Sequence, residues 1–403
     1  MSDRIPLIGV RHGTLGVMAL ACGVMVANIY LCQPLLAAMA AAFGVPASHA
    51  ALVSVVAQIG YALGILFVVP LADVADTKKL VRRLMMLATI GLLAAAFAPS
   101  ISVLLVASLL IAATSIVAQV LIPIATTLAA PEYRGRIVSV LSTGLILGIL
   151  LSRTVSGAVA QLATSWRASY LLQAALVFSL SFVVLAFLPG RIDKSPAKLG
   201  YGALLRSLPA LLRHGPLRLS MALSFCVFAA FSAIWATLAF HLASPAFALG
   251  PAAAGLFGLW GAPGALLAPV AGRLSDRLGP AWINVGSLVA LFASLGVAIH
   301  WGATSLVALI VMVNLLDFGT QSGQVANQAR IFGLGDQIRG RLNTLYMVTT
   351  FAGGATGAFA GGMAWTAGGW SGVCILAFVL VGIAALTLAA STLARSAAPR
   401  QAA

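Results

Sequence analysis

The 403-residue sequence alternates between long apolar runs and short polar connections. The runs fall near residues 14–42, 50–71, 80–97, 101–127, 137–159, 167–188, 217–243, 251–271, 281–299, 304–325, 342–364 and 370–390. Their lengths suit helices that cross a bilayer, which need ~17–25 apolar residues. None shows the period-two alternation of a barrel strand. The pattern predicts an all-α polytopic membrane protein with twelve transmembrane helices. Gly272–Gly279 (GRLSDRLG) reads as a charged turn between Pro251–Ala271 and Ala281–Ile299, and Pro70–Lys79 (PLADVADTKK) holds the equivalent place in the first half.

Features recur in nearly one register. Asp73 and Asp276 stand 203 residues apart, the RGR triplets Arg134–Arg136 and Arg339–Arg341 stand 205 apart, and Trp166 and Trp370 stand 204 apart. Each pair occupies matching topological positions, which predicts two homologous six-helix bundles related by an axis along the membrane normal. The expected division is 1–190, a linker at 191–216, and 217–403. Within the connection Pro189–Gly215, Tyr201–Leu212 places apolar residues at 204, 205, 208, 211 and 212, the pattern of a short amphipathic helix on the membrane face.

Composition fixes the class. Hydrophobic residues make up 61% and charged residues 8% of the chain, whereas soluble domains carry ~45–50% and ~25%. The net charge of +15 does not indicate nucleic acid, because the basic residues are scattered through short loops. Twenty-one of the 23 basic residues fall on one side, so the positive-inside bias places both termini in the cytoplasm. The exceptions are Arg153 and Arg167, the latter beside Trp166 at an expected outer interface. Met1–Gly13 reads as a cytoplasmic tail rather than a cleaved signal. Cys22, Cys32, Cys226 and Cys374 lie in apolar runs without a CxxC pair, and the five histidines show no ligand spacing. No metal or cofactor is expected, and without a phosphate-binding glycine loop the energy must come from an ion or substrate gradient.

GRLSDRLG at Gly272–Gly279 resembles the charged inner-loop signature of the major facilitator superfamily, and Pro70–Lys79 looks like a decayed copy that kept Asp73. Asn28–Leu36 (NIYLCQPLL), Gln119, Pro123, Gly144–Gly157 (GLILGILLSRTVSG), Asn327–Phe332 (NQARIF) and Arg339–Tyr346 (RGRLNTLY) are similar to a bacterial drug–proton-antiporter-like branch. The fourth-span arginine typical of drug antiporters has no counterpart in Ser102–Thr127, where Gln119 is the main polar residue. The resemblance implies a multi-pass protein of the bacterial inner membrane that works by alternating access. It also implies that Asp73, Arg273, Asp276 and Arg277 act in gating, and Asp276 can meet Arg273 or Arg277 or cap a neighbouring helix start.

Asp317 is the one acidic residue inside an expected span, ~20 Å deep at ~1.5 Å per residue. An unpaired carboxylate there must face a cavity, pair, or take up a proton. Asn314, Asp317, Gln321, Gln324 and Gln328 recur at helical spacing, so one face of span ten is polar. That stripe either lines a cavity, with Asp317 as the proton-coupling site, or locks helices together. Arg153 lies ~25 Å up span five, at a different height from Asp317. It attracts an anionic cargo group, serves as Asp317's counterpart, or snorkels to headgroups. If span one lines the cavity as in the resembling fold, Asn28 and Gln33 contact cargo; interhelical packing is the competing account. Gln58 and Gln119 invite the same two readings. Phe225, Phe228, Phe231, Trp235, Phe240 and Trp260 offer aromatic walls, while Gly144, Gly148 and Ser152 and then Gly353, Gly357 and Gly361 allow close helix approach.

The expected function is proton-coupled export of a small amphipathic or polar organic molecule by a monomeric secondary transporter. The cycle has Asp317 protonated from outside and the proton released inside as cargo loads. The alternative is import or export of a specific metabolite such as a nucleoside, sugar or organic anion. A membrane enzyme is disfavoured, because no nucleophile, base and orienter occur together.

Overall fold

The computed structural model describes residues 12–127, 129–130, 133–188 and 200–397, and the regular elements among them are helices. Arg4, Arg11, Arg191, Lys194, Lys198, Arg400 and the side chains of Asp73 and Arg395 lie outside the described residues. Among the described residues, nine helices are long and apolar enough to span a membrane: Gly13–Phe43, Ala47–Ala72, Ile101–Thr126, Arg134–Leu162, Trp166–Phe187, Gly215–Ala243, Pro280–Trp301, Leu306–Phe332 and Arg339–Ala394. The last is two crossings, because the chain folds back at Gly368 and Gly369, the latter at φ 57° where glycine is favoured. A further crossing, Thr77–Ala96, carries Lys78, Lys79, Arg82 and Arg83 in its first turns. Another is interrupted as Pro251–Trp260, Ala262–Leu266 and Ala268–Leu278. Together they make two six-helix bundles, and the crossings are called spans one to twelve in chain order.

The repeat read from the sequence reappears as a packing joint. Gly148 and Gly353 stand 205 residues apart. A Cβ at Gly148 would strike the backbone of Gly23 on span one, and a Cβ at Gly353 would strike that of Phe225 on span seven. Span five thus lies on span one as span eleven lies on span seven, with backbone meeting backbone. Gly357 and Gly361 extend the second joint along Ala229 and Ala233.

The halves meet tightly at the end of the molecule opposite the linker helix Tyr201–Leu211. There Thr154 Oγ1 donates to Gly255 O at 3.0 Å, and the Ala252 amide donates to Gln161 Oε1 at 3.1 Å, joining spans five and eight. A Cβ on Gly362 of span eleven would lie 2.9 Å from that of Ala51 on span two. The linker helix touches both halves at the other end: Tyr201 Oη donates to Phe67 O at 3.0 Å, and Arg341 Nη1 donates to Ser207 Oγ at 2.9 Å.

Four sequence expectations need correction. The stretch Gly272–Gly279 is not a turn; Ala268–Leu278 is helical and Gly279 alone, at φ 86°, reverses the chain. In the first half, only Ala75 and Asp76 separate the helices, and Asp76 Oδ1 caps the second by accepting from the Lys79 amide at 2.9 Å. Span ten runs on past residue 325 to Phe332. Its last turn tolerates Arg330 because the guanidinium donates to Asn284 Oδ1 at 2.6 Å, Asn327 Oδ1 at 2.8 Å and Ser220 Oγ at 3.2 Å.

Span eight is not the unbroken run expected at 251–271. Pro263 has no amide hydrogen and its ring crowds the preceding turn, which opens the helix near Gly261. The opening separates Trp260 C=O from the Gly264 N–H, its normal i−4 partner. Asn314 of span ten fills the gap: its Nδ2 donates to Trp260 O at 2.7 Å and its Oδ1 accepts from Gly264 N at 3.2 Å. One amide side chain replaces one missing backbone bond. Asn314→Leu should therefore free two buried backbone groups, each worth about 1–3 kcal/mol. Unfolding of purified protein by denaturing detergent should register a loss of about 2–6 kcal/mol, twice the single-group cost; unchanged stability would contradict the bridging role.

Candidate functional site

Between the bundles lies a chamber of about 340 Å³, lined in part by Tyr30, Gln119, Arg153, Asp317, Gln321 and Phe351. Its walls come from both halves: spans one, two, four and five on one side and spans seven, ten and eleven on the other. Arg153 and Asp317 lie at its deep end, below the sealed contacts of spans five and eight. Ser142 and Gln328 line it nearer the end that carries the linker helix. The chamber is thus closed toward one face of the molecule and extends toward the other.

Helical spacing on span ten places its polar residues here. Asp317, Thr320, Gln321, Gln324 and Gln328 all line the chamber, so the expected stripe is a cavity wall from Asp317 onward. Asn314, one turn earlier, is turned to the break in span eight and does not serve the chamber. Asp317 is 5% exposed and sits where Gly261, at that break, leaves room: a Cβ there would overlap its Oδ2. A side chain at position 261 would displace the carboxylate.

Arg153 is 2% exposed, so it does not snorkel to headgroups. Its stem packs on Gly258, whose Cβ would lie 2.9 Å from the arginine Cβ. Its Nε donates to Gln33 Oε1 at 2.6 Å. Its guanidinium carbon lies 4.0 Å from the Trp235 ring centroid and 4.8 Å from that of Tyr30, contacts that favour a cation through the ring quadrupoles. Nη2 is buried with no hydrogen-bond partner among the described residues. Leaving such a donor unmatched costs about 1–3 kcal/mol, which makes its position noteworthy. Gly258 and Gly261 are three residues apart, so Arg153 and Asp317 meet span eight about one turn, ~4.5 Å, apart in height. The depths read from the sequence separated them further; the interruption of span eight and the packing of span five close that gap. The two line one chamber without a direct ion pair among the described residues.

The other expected residues divide. Gln119 lines the chamber and its Nε2 reaches Tyr61 Oη at 3.5 Å. Gln33 holds Arg153 in place. Asn28 is not brought to the chamber: its Nδ2 donates to Ser115 Oγ at 2.9 Å and its Oδ1 accepts from Gln173 Nε2 at 2.7 Å, tying spans one, four and six together. The packing account therefore applies to Asn28. Phe228 and Phe231 line the chamber, stacked at 5.4 Å, and Phe351 meets Phe228 edge-on at the same separation. Phe240 packs instead near Trp365. Arg273, Asp276 and Arg277 are exposed on the last turns of Ala268–Leu278, and no side chain caps the helix after them. Among the described residues Asp276 forms neither expected contact, since charges in water gain little from pairing.

Sequence reasoning missed Tyr61, Phe351 and Gln173. A lone tyrosine or phenylalanine in an apolar run carries no signal of the face it presents. Gln173 was a visible intramembrane amide, but its partner Asn28 lies 145 residues away.

A family model described as Major Facilitator Superfamily matches residues 18–329. The uncharacterized transporter YgaY of Escherichia coli is 38% identical over 359 residues, covering 89% of this chain and 90% of that protein. The probable transporter SCO4007 of Streptomyces coelicolor is 35% identical over 366 residues, covering 90% of this chain and 84% of that protein. Among solved structures, a bacterial homologue of the human lysosomal transporter Spinster, inward-facing and unoccupied, matches with a TM-score of 0.74 at 15% identity, covering 94% and 96% of the two chains. The nucleoside transporter NupG matches with a TM-score of 0.72 at 14% identity, covering 95% and 99%. The chain belongs to the major facilitator superfamily: it is a membrane-embedded, multi-pass transporter of small molecules and not an enzyme.

Proposed function

We propose that the protein is a proton-coupled secondary transporter that exports a small amphipathic or polar organic molecule from the cytoplasm by alternating access. The observation that carries this reading is the chamber between the bundles, closed toward one face, with Asp317 as the acid among its lining residues. Its volume of about 340 Å³ falls in the ~300–1,000 Å³ range of small-molecule sites. Aromatic walls beside glutamines suit a molecule with both apolar and hydrogen-bonding surface. The charge bias of the loops supports a cytoplasmic linker-helix face; in this reading the membrane is the bacterial inner membrane and the chamber is inward-facing. Residues 1–190 and 217–403 are the rocking halves of a monomer, and 191–216 is the tether between them.

In the proposed cycle the outward-facing state loads a proton on Asp317, the halves rock, and cargo entering from the cytoplasm releases the proton. Asp317 is suited to this because a carboxylate facing a cavity inside a membrane is stabilised in its neutral form by the surrounding hydrocarbon and in its charged form by a nearby cation. Gln119, Gln321 and Arg153 contact cargo, and Gln33 positions Arg153. Asp73, Arg273, Asp276 and Arg277 act at the cytoplasmic gate, and Asp276 makes its contacts when that side closes. A second reading, transport of a specific metabolite such as an organic anion in either direction, is favoured by one observation: the unmatched guanidinium nitrogen of Arg153 at the deep end.

Asp317→Asn should abolish accumulation driven by a pH gradient in proteoliposomes while leaving counterflow of cargo intact; unchanged pH dependence would remove Asp317 from coupling. Asp276→Ala should slow exchange between inward- and outward-facing forms with little loss of ligand binding. Double-spin distance measurements that find the same exchange rate would reject its gate role.

A further inference from the structure

We propose that the transported molecule is an organic acid whose anionic group docks on Arg153, with a proton on Asp317 travelling alongside it. This rests on the transporter reading and develops its second form.

A guanidinium presents five N–H donors in a planar fork. In Arg153 one of them, on Nε, is committed to Gln33. The guanidinium carbon lies over the rings of Trp235 and Tyr30. What is left is the far edge, bearing Nη1 and Nη2, and Nη2 is buried without a partner. Among the described residues no acid pairs with it directly. A fork held at Nε and carrying an unmatched Nη2 is arranged for a planar, two-oxygen acceptor such as a carboxylate. Gln33 and the two rings fix the fork's direction, so little freedom is lost when an anion arrives.

The rest of the chamber describes the remainder of the molecule. Phe228, Phe231 and Phe351 form an apolar, aromatic wall adjoining the deep end. An acid with an aromatic or branched apolar body would enter carboxylate first and leave its far end among Gln321, Gln324 and Gln328. The charged residues lining the chamber are Arg153 on span five and Asp317 on span ten. The titratable groups facing Asp317 are Arg153 and, on span one, Tyr30; Tyr61 lines the chamber from span two, and span eight meets Asp317 with Gly261. Arg153 is the positive charge that shares the chamber with Asp317. A docked anion cancels that charge, and two negative groups then share a low-dielectric site. Asp317 must take up a proton for the loaded chamber to stay near neutral. For an organic acid, then, cargo and proton load together, so in this second form co-transport takes the place of the exchange in the export cycle.

The experiment uses full-length purified protein and two matched pairs, phenylacetate with phenylacetamide and indole-3-acetate with indole-3-acetamide. Each amide keeps the shape of its acid and loses the charge. Thermal unfolding should shift upward with the acids and not with the amides. In weakly buffered solution the acids should draw protons from the medium, and Asp317→Asn should lose that uptake while keeping the shift. Arg153→Met, close in volume, should lose the shift. Arg153→Lys keeps the charge but not the fork and should weaken the response about tenfold, which provides a second variant if Arg153→Met does not fold. The proposal is overturned by equal shifts from amides, by no acid-selective shift, or by acid binding that survives in both Arg153 variants. Protection by amides or amines alone would remove the anion and leave the transporter reading intact, whereas absence of any gradient-driven flux would remove that reading itself.

Discussion

A bilayer has no water with which to satisfy a stranded polar group, and that one constraint organises this molecule. Where Pro263 opens span eight, Asn314 supplies the missing donor and acceptor from a neighbouring helix. Where Arg330 enters the last turn of span ten, Asn284, Asn327 and Ser220 receive it. Where span one carries an asparagine, Gln173 and Ser115 close around it. Most intramembrane polar residues have been neutralised in this way. Asp317 and Arg153, by contrast, are the charged pair that lines the chamber among the described residues.

The close joints between helices serve the same end by another route. Gly148 against Gly23 and Gly353 against Phe225 let backbones touch, so each half is held by dispersion contacts across its own width. The seam between halves differs. It is tight at one end, through Thr154, Gln161 and Gly362, and gives way to the chamber at the other. Two stiff bodies joined by a seam of that kind can exchange which end is closed without repacking either body.

Much of this was legible in the sequence. Span lengths follow from the thickness of hydrocarbon, and the repeat shows as three residue pairs in one register. Asp317 and Arg153 were visible because a charge in an apolar run is costly and therefore informative. The polar stripe of span ten follows helical spacing, but periodicity cannot say where along it the neighbouring helix ends and the chamber begins. Asn314 and Gln321 look alike in sequence; only the break in span eight separates them. Asn28 misled for a similar reason, since its partners lie on spans far away along the chain. Gly272 and Gly279 bracketed charges and so suggested a turn, although a helix end protruding into water tolerates arginine and aspartate equally well. The aromatic wall left no periodic trace, because phenylalanine is at home both in a core and against lipid.

The central claim is that one chamber is exposed alternately to the two faces. Spin labels at Leu162→Cys and Ala246→Cys would flank the sealed end of the seam, and labels at Arg136→Cys and Leu274→Cys would flank the open end; all four positions are exposed, and the native cysteines are buried. Distances within each pair, measured in nanodiscs as the pH is lowered, should change in opposite senses, the first lengthening as the second shortens. Distances that stay fixed, or that lengthen together, would contradict the account.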